Sequence, residues 1–136
     1  MTLSIIIPAL NEADALRALL PALFLQQESV ELIVADGGSQ DQTALVVTES
    51  GAQLITAECG RARQMNAGAA AASGDILLFL HADSQLPANA FQLVEEAMAK
   101  GELWGRFDLR LSGKHWLLRV VERLINWRSC LSGIAT

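Results

Sequence analysis

The most constraining feature of this sequence is an alternation between short apolar runs and longer segments with helical spacing. Four apolar runs have the length of strands, and each is followed within a few residues by a polar or glycine-containing cluster. The runs cover residues 3–8, 31–35, 53–56 and 76–80. Strands that alternate with helices are typical of βαβ units. The pattern therefore predicts a Rossmann-like α/β fold with a mainly parallel sheet and helices on both faces.

Helical segments occupy the intervals between the runs. Asn11 is expected to cap a first helix that carries leucines at helical spacing, and Pro21 is expected to kink or restart it. Ser39 or Asp41 is expected to cap the second helix, which ends at Gly51. Further predictions are a helix over 61–73, a helix from 87 to 101, a strand over 104–111 and a helix over 115–127.

Length and composition set the scale of the fold and exclude one class of function. The chain has 136 residues, of which 51% are hydrophobic and 18% charged, so we expect a single domain over residues 1–136 with a sizeable core. The net charge of −5 argues against binding to nucleic acid. Residues 101–136 differ from the rest, with six basic and three acidic side chains and all three tryptophans.

The sequence also bears on location. The N-terminal run lacks the basic segment and the cleavage site of a signal peptide, and no apolar run approaches the roughly 18–20 residues that span a bilayer. Cys59 and Cys130 have neither CxxC nor zinc-type spacing, which favours reduced thiols. We expect a cytoplasmic protein, with the inner face of the membrane as the alternative location.

Polar clusters at the ends of the predicted strands indicate a binding site. They cover residues 8–12, 36–39, 60–63 and 81–83. In an open parallel sheet these clusters meet at the carboxyl edge, where ligands bind. Carboxylates, arginines and glycines together suit a phosphorylated nucleotide with a divalent cation. The sequence lacks GxGxxG, Gly-Lys-Ser/Thr, GxSxG and HExxH motifs, which argues against several other sites.

Four segments in the same order and spacing resemble glycosyltransferase family 2. They are residues 5–12 (IIIPALNE), 33–43 (IVADGGSQDQT), 60–68 (GRARQMNAG), and 74–75 leading to Asp83. Residues 104–107 to 132–135 are similar to a bacterial subgroup whose metal motif is His-Ala-Asp. The resemblance implies a GT-A fold that binds a nucleotide-diphosphate sugar, with a UDP-sugar favoured.

The same resemblance implies roles for individual residues. Asp36 is expected to accept a hydrogen bond from the base or ribose, and Arg61 to lie near the nucleotide with Asn66 behind it. The full set of implied nucleotide-binding residues is Pro8, Ala9, Asn11, Glu12, Asp36, Gly37, Arg61, Asn66 and His81.

Asp83 and His81 are the implied metal ligands, for Mn²⁺ or Mg²⁺ that bridges the diphosphate. His81 stands where the family has a first aspartate, and an imidazole attracts a hard cation less strongly. The resemblance implies inverting transfer with a catalytic carboxylate beyond Thr136, so we expect the chain to be the donor-binding half. Asp108 and Glu122 are carboxylates near the end of the chain that match no motif.

Each site residue also has a structural interpretation. Asp36, Asn11 and Ser39 are residue types that cap helices and form turns, and a histidine such as His81 often ends a strand without binding a ligand. The helix over 115–127 has an apolar side with two tryptophans. That side either packs on the protein itself, binds an anionic membrane or pairs with another chain as a homodimer.

Three hypotheses follow. The first is a metal-assisted glycosyltransferase that uses a nucleotide sugar. The second is a non-catalytic nucleotide-binding or assembly module that contacts a partner or membrane through its C-terminal helix. The third is a nucleotidyltransferase, which lacks support because the sequence has no early glycine-rich phosphate loop with a basic residue.

Overall fold

The computed structural model describes residues 2–26, 29–108, 110–112, 114 and 116–132. The chain divides into two compact units, Met1–Phe91 and Gln92–Thr136. The single domain expected over residues 1–136 is not tested by this division and stays a prediction.

A four-stranded parallel sheet forms the centre of the first unit. The strands are β1 (Leu3–Ala9), β2 (Glu31–Asp36), β3 (Gln53–Thr56) and β4 (Ile76–Phe79), in the order β3-β2-β1-β4. Every pairing is parallel, and the central register sets Ile6 opposite Ile33 and Phe79. Strands rich in isoleucine and valine suit a sheet that is covered on both faces. The predicted α/β fold class is confirmed.

The two faces of the sheet are covered by different helices. Ile5 and Ile7 belong to one buried cluster with leucines of α1 (Ala13–Gln26) and valines of α2 (Thr43–Ser50). Ile6 points to the other face, because side chains alternate along a strand. There α3 (Arg61–Ala71) lies so close that a Cβ on Gly68 would be 2.3 Å from Cγ2 of Ile6. Only a glycine allows this approach.

Two expectations about the first helix, a restart at Pro21 and a cap at Asn11, are wrong, and the alternative of a kink at Pro21 stays a prediction. α1 continues through Pro21 to Gln26 without a break. The buried side of this helix carries Leu16, Leu20 and Leu23, whereas Pro21 is exposed, so the missing hydrogen bond falls on the solvent side. Asn11 is not the N-cap, because α1 begins at Ala13 and Asn11 adopts a positive φ of 55°.

The second helix also begins differently from the expectation. α2 begins at Thr43, and its N-cap residue is Gln42, which makes no side-chain capping hydrogen bond. Neither Ser39 nor Asp41 is therefore the N-cap residue of α2. The Asp41 carboxylate nevertheless accepts from the Thr43 N–H, the first of α2, at 2.9 Å, so the expected capping by Asp41 is confirmed in part. The predicted end at Gly51 is confirmed, since this residue has the left-handed conformation that ends a helix.

The remaining elements are α4 (Ala90–Ala99) and α5 (Trp116–Ser132). The predicted strand over 104–111 is wrong: residues 104–108, 110 and 111 form no strand. Their polar groups bind side chains instead of a neighbouring strand, as when the Leu111 N–H donates to the Glu122 carboxylate. The predicted last helix is present and extends beyond Trp127, whereas its expected first residue, His115, lies outside the described residues.

Candidate functional site

An open cavity of about 130 Å³ lies at the carboxyl edge of the sheet in the first unit. The end of β1 and the loop after it form one wall, and the start of α3 and the segment after β4 form the other. The cavity brings together six residues that the sequence proposed for the site: Pro8, Ala9, Glu12, Arg61, His81 and Asp83. It also includes Leu10 and Ala82, which lie in the predicted clusters 8–12 and 81–83, and Gln64, which the sequence did not single out.

The other proposed site residues are not part of the cavity wall. They are Asn11, Asp36, Gly37 and Asn66. Asn66 is exposed on α3, and Gly37 lies against the Gln64 side chain. Their roles toward a nucleotide stay predictions.

Asp36 is 8% exposed, and its carboxylate organises the turn that follows β2. It accepts hydrogen bonds from the N–H groups of Gly38, at 3.3 Å, and Ser39, at 3.1 Å, and from the Ser39 hydroxyl. Gly38 has a φ of +94°, which a side chain would strain. Asp36 therefore has the structural role that its residue type suggests, because its carboxylate holds the glycine turn beside the end of β1.

Gln64 is the polar residue that sequence reasoning missed. It is 4% exposed, and its Nε2 donates to the backbone oxygens of Ala9, at 2.7 Å, and Ala35, at 2.8 Å. Its Oε1 accepts from the Gly60 N–H at 3.3 Å. One side chain thus joins the ends of β1 and β2 to the start of α3. Its position three residues after Arg61, on the inner side of an alanine-rich helix, is the signal that could have found it.

The loops after β1 and β2 are hydrogen-bonded to each other. The Asn11 N–H donates to the Ser39 hydroxyl, and the Asn11 Oδ1 accepts from the Gln40 N–H, both at 2.8 Å. Asp41, one of the two residues expected to cap α2, lies in the loop after β2, and its carboxylate also caps the first turn of α1. Its Oδ2 accepts from the Ala13 N–H at 3.2 Å.

Thr43, which is fully buried, completes this contact between the loops. Its hydroxyl oxygen accepts from the Glu12 N–H at 3.0 Å and donates to Asp41 at 2.5 Å. The hydrogen bond from Thr43 is the main cause that lowers the pKa of Asp41 below its ordinary value. The first turn of α1 is therefore capped from another loop.

Positive charge and a neutral imidazole meet at the cavity. Within the described part of the chain, Arg61 forms no ion pair, whereas Arg63 pairs with Glu58 at 2.7 Å on the surface. Burial, followed by the charge of Arg61, holds the pKa of His81 below its ordinary value, against the opposite effect of Asp83. His81 is therefore neutral near pH 7 and has a nitrogen lone pair to offer.

The metal-binding side chains at the cavity fit a divalent cation that is also bound by the phosphates of a substrate. Asp83 offers an exposed carboxylate and His81 an imidazole nitrogen on the same wall. The described residues contain no cluster of three or more metal-ligating side chains. Mg²⁺ is commonly bound by one or two carboxylates together with substrate phosphates. A cation bound by Asp83, His81 and diphosphate oxygens would agree with this preference.

The two C-terminal carboxylates that match no motif are engaged in the second unit. Asp108 pairs with Arg106 at 2.7 Å. Glu122 is 8% exposed and accepts from Arg119 at 2.7 and 2.8 Å.

Cys59 is an exposed free thiol, and the side chain of Cys130 lies outside the described part. Within the described residues, no helix combines the length and the apolar character needed to cross a membrane.

Comparison with known proteins gives both curated relatives and solved structures. The chain is 31% identical over 118 residues to 4,4'-diaponeurosporenoate glycosyltransferase of Staphylococcus haemolyticus, covering 80% of this chain and 32% of that protein. It is 31% identical over 93 residues to glucosyl-3-phosphoglycerate synthase of Mycobacterium tuberculosis, covering 60% and 29%. The chain thus spans about a third of the length of these relatives.

A crystal structure of the M. tuberculosis synthase in complex with Mn²⁺, UDP and glucosyl-3-phosphoglycerate is 27% identical to this chain. The TM-score is 0.60, and the match covers 71% of this chain and 39% of the other. The model of "Glycosyl transferase family 2" matches residues 4–128. With that match over most of its length, on a parallel sheet shared with solved members, the chain belongs to glycosyl transferase family 2.

Proposed function

We propose that the cavity binds the diphosphate part of a nucleotide sugar, with a UDP-sugar favoured, and that the chain serves metal-assisted, inverting glycosyl transfer. The observation that carries this proposal is the meeting of Arg61, His81 and Asp83 on one cavity at the carboxyl edge of the sheet. The relative solved with Mn²⁺ and UDP adds support.

The cationic and metal-ligating groups have separate tasks. The Arg61 guanidinium donates hydrogen bonds to phosphate oxygens and offsets their charge. Asp83 and His81 would hold a divalent cation, which would supply positive charge to offset the negative charge of the departing diphosphate. Transfer becomes easier because these charges are in place before the sugar bond breaks.

The nucleoside is assigned to the wall formed by Pro8, Ala9 and Leu10. Pro8 and Ala9 are the last two residues of β1 and are paired with β2, Leu10 follows them, and Gln64 fixes the carbonyl of Ala9. Asp36 contributes through the glycine turn that it shapes beside Ala9, since the Gly37 N–H donates to the Ala9 oxygen at 2.9 Å. A rigid backbone here lowers the entropy lost when a flat base binds.

Thermal unfolding with a panel of nucleoside diphosphates, each with and without Mn²⁺, tests the donor site. A ligand at 100 times its dissociation constant adds about 2.7 kcal/mol of stability. We expect a metal-dependent rise in Tm with UDP, which Asp83→Ala abolishes and Asp36→Ala weakens.

Glu49→Ala is the matched control for this experiment. Glu49 is an exposed carboxylate near the end of α2, which lies toward the opposite edge of the sheet because α2 follows a parallel strand and returns. The Tm rise should persist in this variant. If no nucleotide shifts the Tm, or if Asp83→Ala retains the full shift, the site assignment is wrong.

A second candidate is a nucleotide-binding module that performs no transfer. Among the described residues, Asp108 and Glu122 are both held in ion pairs, which makes each of them a poor general base. Slow release of UDP from UDP-glucose by the wild-type chain, lost in Asp83→Ala, would favour transfer chemistry over this candidate. The cytoplasmic location and the homodimer stay predictions.

A further inference from the structure

One side of α5 is apolar and exposed along its described length. We call it the apolar face of α5, and its members are Trp116, Leu117, Val120, Val121, Leu124 and Trp127. At 100° per residue these six positions occupy one continuous side of the helix. Their exposed fractions range from 42% for Val120 and Val121 to 68% for Trp116. Exposed large apolar side chains that adjoin along one side of a helix are typical of an interaction surface.

The opposite side of α5 is the one that contacts the rest of the second unit. Glu122 is buried there and accepts hydrogen bonds from Arg119 and from the Leu111 N–H. Arg119 donates to the Leu111 oxygen at 2.6 Å, and Arg106 donates to the Asn126 oxygen at 2.9 Å. A helix of a globular protein ordinarily buries its apolar side and exposes its polar side. In this unit the arrangement is reversed.

Charge indicates what covers the apolar face of α5. Arg123 lies at one border of the face by helical position, Arg128 lies at its C-terminal end between the directions of Leu117 and Val121, and residues 101–136 hold six basic against three acidic side chains. Trp116 and Trp127 are three turns apart on nearly the same line. An apolar face with tryptophans and flanking arginines is typical of helices that lie in the surface of an anionic membrane. A second copy would bring like charges together, which opposes pairing through this face.

We propose that the apolar face of α5 binds the surface of an anionic lipid bilayer, with the helix parallel to the membrane plane. Arg123 and Arg128 contact lipid phosphates while their methylene groups lie along the neighbouring apolar side chains. The tryptophans lie at the level of the headgroups. This inference does not depend on the donor site, because every residue that carries it belongs to the second unit.

Sedimentation of the protein with vesicles tests the inference. The probes are phosphatidylcholine vesicles and vesicles in which phosphatidylglycerol is mixed with phosphatidylcholine. We expect binding to the anionic vesicles, weaker binding in high salt, and little binding to phosphatidylcholine alone. A double variant, Val120→Asp with Leu124→Asp, is expected to lower the partition coefficient at least about tenfold, because it places carboxylates in the apolar face.

Leu25→Asp is the matched control, since Leu25 is 88% exposed on α1 and lies outside the face. It should bind the vesicles like the wild type. Circular dichroism of each variant checks that α5 is formed. A blue shift of tryptophan fluorescence on adding anionic vesicles is a second readout, expected in the wild type and in Leu25→Asp but reduced in the double variant.

Three results would overturn the inference. They are no binding to anionic vesicles, equal binding by the double variant, and self-association in analytical ultracentrifugation that the double variant removes without any lipid binding by the wild type. The last result would assign the face to a second copy of the chain. A failure of nucleotide binding would leave the lipid result unaffected, so the two proposals fail separately.

Discussion

The two compact units treat apolar side chains in opposite ways. In the first unit, Ile5, Leu16 and Leu20 are fully buried between the sheet and its helices. In the second, the apolar face of α5 is exposed, and the charged Glu122 is buried beside Arg119, which is itself partly exposed. Burial of apolar area is the larger source of stability, and an ion pair near the surface contributes little. The first unit is therefore built to be stable by itself, and the second to use its apolar residues in contact with something else.

The largest expected effect is the difference in stability between two leucine-to-alanine variants, one in each unit. Leu20→Ala should lower the free energy of unfolding by about 3 kcal/mol, because it leaves a cavity in the core. Leu124→Ala should change it by less than about 0.5 kcal/mol, because Leu124 is more than half exposed. Urea unfolding followed by circular dichroism measures both. Equal losses in the two variants would contradict the comparison.

An intermediate effect is expected from removing a glutamine amide in each unit. Gln64→Leu leaves the Ala9 and Ala35 oxygens without their donor, which should cost about 2 kcal/mol. It should also weaken UDP binding, because the start of α3 loses its connection to the sheet. In Gln92→Leu the same replacement removes only an exposed hydrogen bond to Glu96. If both variants unfold at the same urea concentration, Gln64 does not hold the site together.

The smallest expected effect is a pH dependence that arises from carboxylates of the first unit. Hydrogen bonds, chiefly from Thr43, keep the pKa of Asp41 in the folded state below its ordinary value of 3.8. The pKa of Glu31 is lowered chiefly by the Ser4 hydroxyl, and that of Asp75 chiefly by the Thr2 N–H. A lowered folded pKa stabilises the protein above the ordinary value, and this contribution is lost as the pH falls through the folded value.

Asp41→Asn measures this contribution. The variant should be less stable than the wild type at pH 7, and the difference should shrink as the pH is lowered toward 3. Asp14→Asn is the control, since Asp14 is exposed on α1 and pairs only with Arg17 among the described residues. A constant difference between Asp41→Asn and the wild type at every pH would show that the carboxylate charge is not what matters.

Local sequence patterns predicted the elements of the first unit because each signal lies within the element itself. The four apolar runs became the four strands, with ends that differ by at most one residue. The strand expected over 104–111 failed because alternating apolar and polar residues form a strand only when a neighbour offers hydrogen bonds. There the backbone and arginine side chains bind groups of α5 instead.

The candidate site was predictable in part for the same reason. Residues that directly follow a strand, such as Asp83 after β4, are placed by the topology of a parallel sheet. Gln64 escaped notice because its three backbone partners lie in other segments, up to 55 residues away in the sequence. The expected cap at Asn11 was wrong because the true capping groups come from a different loop.

Capping from a distant loop has a consequence for the order in which the chain folds. The first turn of α1 obtains its acceptors from Thr43 and Asp41, which are 31 and 28 residues away from their donors. These hydrogen bonds form only after the intervening chain has closed into a loop, and closure costs entropy before any contact compensates for it. The start of α1 and the pairing of β1 with β2 should therefore form together in the rate-limiting step. Folding would then be slowed more by loss of the Thr43 hydroxyl than by a change in the helix propensity of α1.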